Sequence, residues 1–543
     1  GVSLGIMGRQ SAEADEGPVI GATPTHRLDA TRLLRRASLV LLNRAPTSAE
    51  YDAVLAVDPA DQRAFVDARI DDALQSAAFE DVLLGWGMET MRVISYDYKY
   101  DFVNTWFRGD YGLALQECAP GTMHAGAVGF LNQYPSYGEP LSMCDDAGAI
   151  VNDVEPWWEP GTTIEVIGAA GTDVRQVGGV DCGSTLGQGN HYQWPAPGCS
   201  CGPNMIYCQR RGLPDDDNKS AESARRQAFE EPARLYQHII AGDRPFSDLV
   251  LGDYTVVTRG LFNLYRRAAR RNAPNASLDD EQWFRDFQGN ADWREVGFAD
   301  MHPNLLADRS YRFDPRTDSG SPEGVPSAGV LSTIGANYAF PRERVRAARW
   351  IEIFACREFS PPPADVDFAP FESDPGTQGS CEHCHQLIDP AAMHFKRMHG
   401  GGVELGGVGS WDLDALDTDD TFRERSLSTF QPDTLMTPVD TITIENNPDA
   451  SLMDFMPDEY SLFGEKSDGT IGPLGFGKIL VESGEFDQCA VRRFHERVTG
   501  VELLPGRDDA KIEGLVAVFV DSDRNVKALI REIMSGPDFD IGW

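Results

Sequence analysis

Apolar positions recur at helical spacing in several separate parts of this chain and lose that spacing between them. Residues 28–42 carry Leu33, Leu34, Ala37 and Leu41 on one helical face, with Arg32, Arg35 and Arg36 on the other. Pro46 stops that helix, and Thr47-Ser48-Ala49-Glu50 is a capping box that opens a second one, to about residue 56. Two more follow near 60–75 and 78–93, so the first hundred residues are expected to be all-α. The period returns over 221–241, 246–251 and 254–271, and again over 345–356. Pro361-Pro362-Pro363, which has no backbone N–H to donate, closes that last stretch. Segments 476–483, 486–499, 508–519 and 523–535 then predict a terminal helical bundle.

The intervening stretches have a different character. Residues 1–28 are rich in Gly, Pro and small side chains and read as an extended arm. From 97 to 212 Gly, Pro, Trp and Tyr replace the helical period, and six cysteines fall there: Cys118, Cys144, Cys182, Cys199, Cys201 and Cys208. This predicts a loop-rich insertion stapled by disulfides, with short strands such as 163–167. Residues 273–330 read mostly as loop, and 400–470 are Gly- and Asp-rich with little helix.

The totals narrow the class. At roughly 150 residues per domain, 543 residues predict a multi-domain chain. A hydrophobic share of 41 % is enough to build sizeable cores. The formal charge of −37 (48 basic against 85 acidic residues) argues against nucleic acid and anionic membrane surfaces as partners. Its plain reading is solubility in a screening medium; the other is a cationic partner. No apolar run approaches the ~20 residues of a membrane span.

Chemistry concentrates in Cys381-Glu382-His383-Cys384-His385, the Cys-x-x-Cys-His signature of covalent haem attachment. Two thiols at this spacing can add to the two vinyl groups of one porphyrin, and His385 then faces the iron as proximal ligand. His383, between the cysteines, points elsewhere. A Cys-x-x-Cys pair also serves as a redox dithiol or as half of a zinc site. The dithiol wants a βαβ setting and zinc wants a second Cys/His pair, and neither stands nearby. The expected cofactor is one covalently bound haem c.

The sixth iron position decides what such a haem does: Met favours electron transfer at raised potential, His lowers the potential, and an open site admits oxygen or peroxide. Met393, His394, Met398 and His399 lie within fifteen residues of His385, and residues so close stay on its side of the ring. Met436, Met453 and Met456 follow 51, 68 and 71 residues after it, the span a chain needs to pass round the ring edge, and are the distal candidates. Ile388-Asp389-Pro390 is expected to turn the chain after the attachment helix. Its Asp would cap a helix or hold the imidazole N–H of His385.

Removing the two haem thiols from ten cysteines leaves eight, with Cys356 and Cys489 joining the six above. An even remainder fits up to four disulfides and an oxidising compartment. The start at Gly1 rather than Met reads as a removed signal sequence or a cloning boundary, so the expected location is periplasmic, cell-surface or extracellular. Weaker patterns are two glycosylation triplets, at Asn218 and Asn275, and His191 with the clustered cysteines as a zinc alternative. Asp412, Asp414, Asp417, Asp419 and Asp420 form an acidic loop whose second reading is calcium. No hydrolase, metalloprotease or phosphate-loop motif is present.

Several segments, in order, resemble the secreted planctomycete- and myxobacterial-type cytochrome-like multidomain proteins. These are Leu34-Arg35-Arg36 through Arg44-Ala45-Pro46-Thr47, Leu251-Gly252-Asp253-Tyr254-Thr255-Val256-Val257, the run from 329 to 331, and 346–354 with the triple proline. Cys381 to His385 followed by Ile388-Asp389-Pro390 matches that family's most distinctive string, and 476–499 and 526–539 resemble its closing domain. Residues 392–399 depart from the family's Gly-Phe continuation, and the 97–212 insertion has no counterpart in it. The resemblance implies architecture and haem, and names no substrate.

The fold class expected is mainly α and multi-domain, with the stapled insertion and a cytochrome c-like haem region. Its segments are an arm (1–28), an N-terminal helical domain (29–96), the insertion (97–212), a helical domain with a long loop (213–330), a haem domain (331–470) and a C-terminal helical domain (471–543). Three functions compete. An exported monohaem cytochrome predicts a low-spin spectrum and electron exchange with a redox partner or neighbouring copies of itself. A peroxidase or oxygenase predicts an open site that binds cyanide or carbon monoxide. A structural subunit of a homo-oligomer or filament predicts a haem that mainly stabilises the fold, with the arm at 1–28 adding a strand to a neighbour.

Overall fold

In this computed structural model the described residues are 27–92, 221–258, 261–262, 325–340, 343–359, 382–395, 460–467 and 472–541, with short strands between 114 and 210 and near 294–306. Of these residues 67 % are helical, so the chain is mainly α with few short strands. No described helix is long and apolar enough to cross a membrane.

Local signals set most of the helix ends. Helix α1 (Ala30–Leu42) starts where Asp29 accepts a hydrogen bond from the Arg32 amide, and it buries Leu33, Leu34, Ala37 and Leu41. Helix α2 (Ser48–Leu55) opens on the expected capping box: Thr47 Oγ1 accepts from the Glu50 amide, and the Glu50 carboxylate accepts from the Thr47 amide. Arg44 donates to both Glu50 oxygens, and this pairing, with the Thr47 amide, pulls that carboxyl down to about 2. Helices α3 (Gln62–Leu74) and α4 (Ala77–Met91) complete the N-terminal group, the second capped by Ser76.

Between 114 and 210 lies a five-stranded sheet of β1 (Ala114–Ala119), β2 (Thr122–Gly126), β3 (Val151–Val154), β4 (Ile164–Ile167) and β5 (Gln209–Arg210). The order is β3-β4-β2-β1-β5, with β1/β2 and β3/β4 antiparallel and the other two pairings parallel. The cysteine side chains of this region lie outside the described residues, as do His191 and both glycosylation triplets.

Helix α5 (Ala221–Ala241) is the longest described and passes through Pro232. It packs on α4, where a Cβ on Gly87 would meet the Ala233 carbonyl oxygen at 2.9 Å. After the short α6 (Asp248–Leu251), the structure differs from the spacing-based expectation. Residues 254–271 read as helix, but Tyr254–Val257 is strand β6, antiparallel to β7 (Arg294–Gly297). Thr255, Val256 and Val257 are β-branched and suit a strand buried on both faces, as this one is. The partner lies some forty residues on, beyond the reach of local spacing.

Helix α7 (Ile334–Ala339) leads to α8 (Glu343–Phe354), then α9 (Glu382–Met393). A hairpin of β8 (Tyr460–Leu462) and β9 (Glu465–Ser467) precedes the closing helices α10 (Pro473–Glu482), α11 (Glu485–Thr499), α12 (Asp509–Asp521), α13 (Val526–Ser535) and α14 (Pro537–Asp540). One apolar core runs through all these helical segments, from Leu33 to Phe539. At its centre Phe246 packs on Tyr236, Phe486, Phe494 and Phe519, and Phe494 reaches Trp86 of α4. The two ends of the described chain meet: Arg36 of α1 donates to the carbonyls of Thr499, Phe539 and Ile541, and the Leu28 amide donates to Asp540.

The terminal bundle also holds a titrating pair. Buried His495 donates Nδ1–H to the Val501 carbonyl (2.9 Å), and its Nε2 lies 2.9 Å from Asp538, which also binds Lys511. Burial, reinforced by the Lys511 ammonium, holds the imidazole below its usual range despite acceptors at both nitrogens. Burial alone would raise Asp538, but Lys511 and His495 draw its carboxyl below the ordinary value. A depressed imidazole binds fewer protons folded than unfolded, so its contribution is present above about pH 6.5 and is lost as pH falls. The Asp538 contribution follows the same sign at lower pH. Relief of self-repulsion in this acidic chain works the other way, so the difference between proteins is the readout. Between about pH 7.5 and 5, His495→Gln should lose less stability than wild type in urea titrations. Parallel slopes would remove the imidazole as the cause.

Candidate haem attachment site

The Cys-x-x-Cys-His string stands at the start of α9. Cys381 immediately precedes the helix, and Cys384 and His385 lie in its first turn. Within the helix, Cys384 and His385 are adjacent positions on the side that carries Ile388 and Asp389 one turn later. Cys384 is half-buried and its thiol is free. Further along that face Ile388 is half-buried and Asp389, Ala391 and Ala392 are buried, so the helix below the motif is seated against the protein.

Its seat is α8. Arg344 gives Nε to Asp389 Oδ1 (2.7 Å) and Nη2 to Oδ2 (3.1 Å), a two-pronged pair with both side chains largely out of solvent. Arg346, fully buried, donates Nε to the Phe340 carbonyl (2.9 Å), and its guanidinium lies 5.8 Å from the Phe395 ring centre. Two buried donors on α8 find no acceptor among the described residues: Arg344 Nη1 and Trp350 Nε1.

This corrects two expectations about Ile388-Asp389-Pro390. The string does not turn the chain: α9 runs through it to Met393, although Pro390 removes one intrahelical hydrogen bond. Asp389 stands inside the helix and not at its end, and both its oxygens accept from Arg344; the other expected partner, the His385 imidazole, lies outside the described residues. His394 is also placed. Its Nδ1–H donates to the Gly472 carbonyl (2.9 Å), and its ring packs near Phe476, tying the end of α9 to the loop before α10.

The far end of α8 is anchored by the disulfide Cys356–Cys489, which joins residues 133 apart in sequence. Arg493 of α11 donates Nη2 to the Glu352 carbonyl (2.7 Å) and lies against Cys356 Sγ. Arg344 at one end and Cys356 beyond the other therefore fix α8 against both α9 and the closing bundle. Sequence spacing had no way to single out Arg344, whose partner lies 45 residues later.

Known protein families, curated proteins and solved structures give no match to this chain. What the site can do is decided by its residues. The side chains of Cys381 and His385, the distal candidates Met436, Met453 and Met456, and the Asp412–420 loop lie outside the described residues. Among the described residues no group of three or more His, Cys, Asp or Glu is placed to hold a metal ion. The donor set of α9 nevertheless suits covalent haem: a free thiol and an imidazole position share one helical turn, and a spare buried guanidinium N–H lies beside the helix, fit for a carboxylate.

Proposed function

We propose that this chain is an exported monohaem cytochrome of c type that passes electrons to a redox partner or between neighbouring copies of itself. Cys381 and Cys384 would hold the haem through thioethers, and His385 would bind its iron. When bound, such a haem supplies a one-electron couple whose potential follows its axial ligands and surroundings. The resemblance to secreted cytochrome-like proteins supports the same reading, as does the pattern of the other cysteines. With Cys356 and Cys489 paired, the remaining six all fall between 118 and 208, an even set for stapling the insertion in an oxidising compartment.

The observation that carries the proposal is the free, half-buried thiol of Cys384 in the first turn of a helix firmly seated on α8. The chain's own part is to orient that helix. The Arg344–Asp389 pair fixes its rotation one turn below His385, and His394 with Phe395 fixes its end.

The test is expression with haem-attachment machinery, followed by acid–organic extraction of the denatured protein. Colour is expected to stay with the polypeptide at one haem per chain, and Cys384→Ala is expected to lose at least one thioether, seen in the pyridine haemochrome spectrum. Complete loss of colour from wild type would overturn the reading. A low-spin spectrum indifferent to carbon monoxide supports electron transfer, and replacing Met436, Met453 and Met456 in turn identifies a distal sulfur ligand by the appearance of high-spin haem. A high-spin wild type that binds cyanide or carbon monoxide favours the peroxidase or oxygenase reading. One haem on 59.7 kDa is a sparse arrangement for conduction, which keeps the structural-subunit reading in play. Removing residues 1–25 tests it through the sedimentation profile.

A further inference from the structure

Arg344 uses only part of its donor fork. Nε and Nη2 bind Asp389, while Nη1, shut off from solvent, has no acceptor among the described residues. Native interiors rarely leave such a donor empty, least of all on a permanently charged group. Trp350 Nε1, the other unfilled donor, sits between the rings of Phe340 and Phe354 and belongs to the core. Arg344 differs because of where it stands. Asp389 is one helical turn after His385, so the guanidinium lies beside the face of α9 that carries the expected iron ligand. A planar fork already holding one carboxylate, with a further N–H to spare, suits a second carboxylate.

We propose that Arg344 Nη1 is the receptor for a haem propionate. The proposal rests on the haem reading above and deepens it. Thioethers fix the vinyl edge of a porphyrin, whereas its carboxylates hang from the opposite edge and need a separate anchor. Arg344 supplies that anchor and, through Asp389, locks it to the helix that bears the attachment residues. Its positive charge also favours the reduced iron and keeps the propionate ionised.

The test uses the full-length haem protein and compares wild type with Arg344→Gln, Arg344→Lys and Asp389→Asn. Midpoint potential is followed across pH by spectroelectrochemistry, and the propionate bending band by resonance Raman. Arg344→Gln should shift the reduction equilibrium about tenfold toward the oxidised form, or ~59 mV for one electron. It should also move the band and raise the pH at which the potential begins to depend on propionate ionisation. Arg344→Lys, which keeps the charge but not the fork, should move the band while leaving the potential near wild type. This variant carries the test should the glutamine protein not fold.

An Arg344→Gln protein with wild-type potential, pH profile and Raman band overturns the proposal while leaving covalent haem intact. An Asp389→Asn protein that reproduces every change also overturns it, since the ion pair alone would then explain them. Failure of the wider reading is distinguishable, because denatured wild type would carry no colour before any variant is made.

Discussion

Gly335→Ala is expected to destabilise the protein by about 3 kcal/mol or more, at the upper end of what overpacking costs. The cause begins in α5, where Pro232 has no N–H and so cannot donate to the Ala228 carbonyl four residues before it. Buried Gly335 of α7 lies against that carbonyl. A Cβ built on Gly335 would collide with the Ala228 oxygen and stand 2.5 Å from its carbon, the tightest approach of any described glycine. The obstacle is backbone, so no rotamer relieves it. Helix α7 would have to move, taking with it the buried segment Val330 to Thr333 that leads into it. Gly514, exposed in the middle of α12 with nothing within 4 Å of its added Cβ, is the control. There the same substitution should stabilise by about 0.5–1 kcal/mol, because Ala is the better helix former. Urea titration of both variants reads the opposite signs, and a Gly335→Ala protein that unfolds with wild type would show that α5 and α7 do not approach this closely.

The contrast between these two glycines shows where sequence is legible and where it is not. Local devices read well. The Thr47/Glu50 capping box, the buried stripe of α1 and the extents of the closing helices follow from spacing and capping residues within one or two turns. What failed was set by partners far along the chain. Tyr254–Val257 became strand because Arg294–Gly297 lies beside it, and Ile388-Asp389-Pro390 stayed helical although it reads as a turn. Asp389, at the helix rather than beyond it, owes its partner to an arginine on another element. The candidate site divides the same way. Cys-x-x-Cys-His is a linear signal, readable because one short segment must supply both thiols and the imidazole. The residues that hold that segment, Arg344 and the Gly472 carbonyl behind His394, carry no local mark. Cysteine parity gave only the number of bridges. Eight cysteines allow 105 pairings, and the packing of α8 on α11 selects one bridge, leaving six cysteines with fifteen.

Removing that bridge is the second large effect expected. Cys356–Cys489 closes a loop of 133 residues, for which the chain-entropy relation gives about 5 kcal/mol. The other sulfurs inside the loop at cysteine positions are Cys381 and Cys384, so no second disulfide shortens it if those two carry haem. A Cys356→Ser/Cys489→Ser protein, which leaves no odd thiol, should therefore unfold at markedly lower urea, and dithiothreitol should lower the wild-type midpoint toward it. The two covalent systems are predicted to separate cleanly. Thioethers do not exchange with thiols as disulfides do, so the reduced protein should keep its haem through acid denaturation while losing the bridge's stability. An unchanged midpoint with the bridge shown open by alkylation would mean that α8 is held by packing alone. Release of colour on reduction would mean that the haem was never joined through Cys381 and Cys384, and would remove the proposed cytochrome and the Arg344 anchor together.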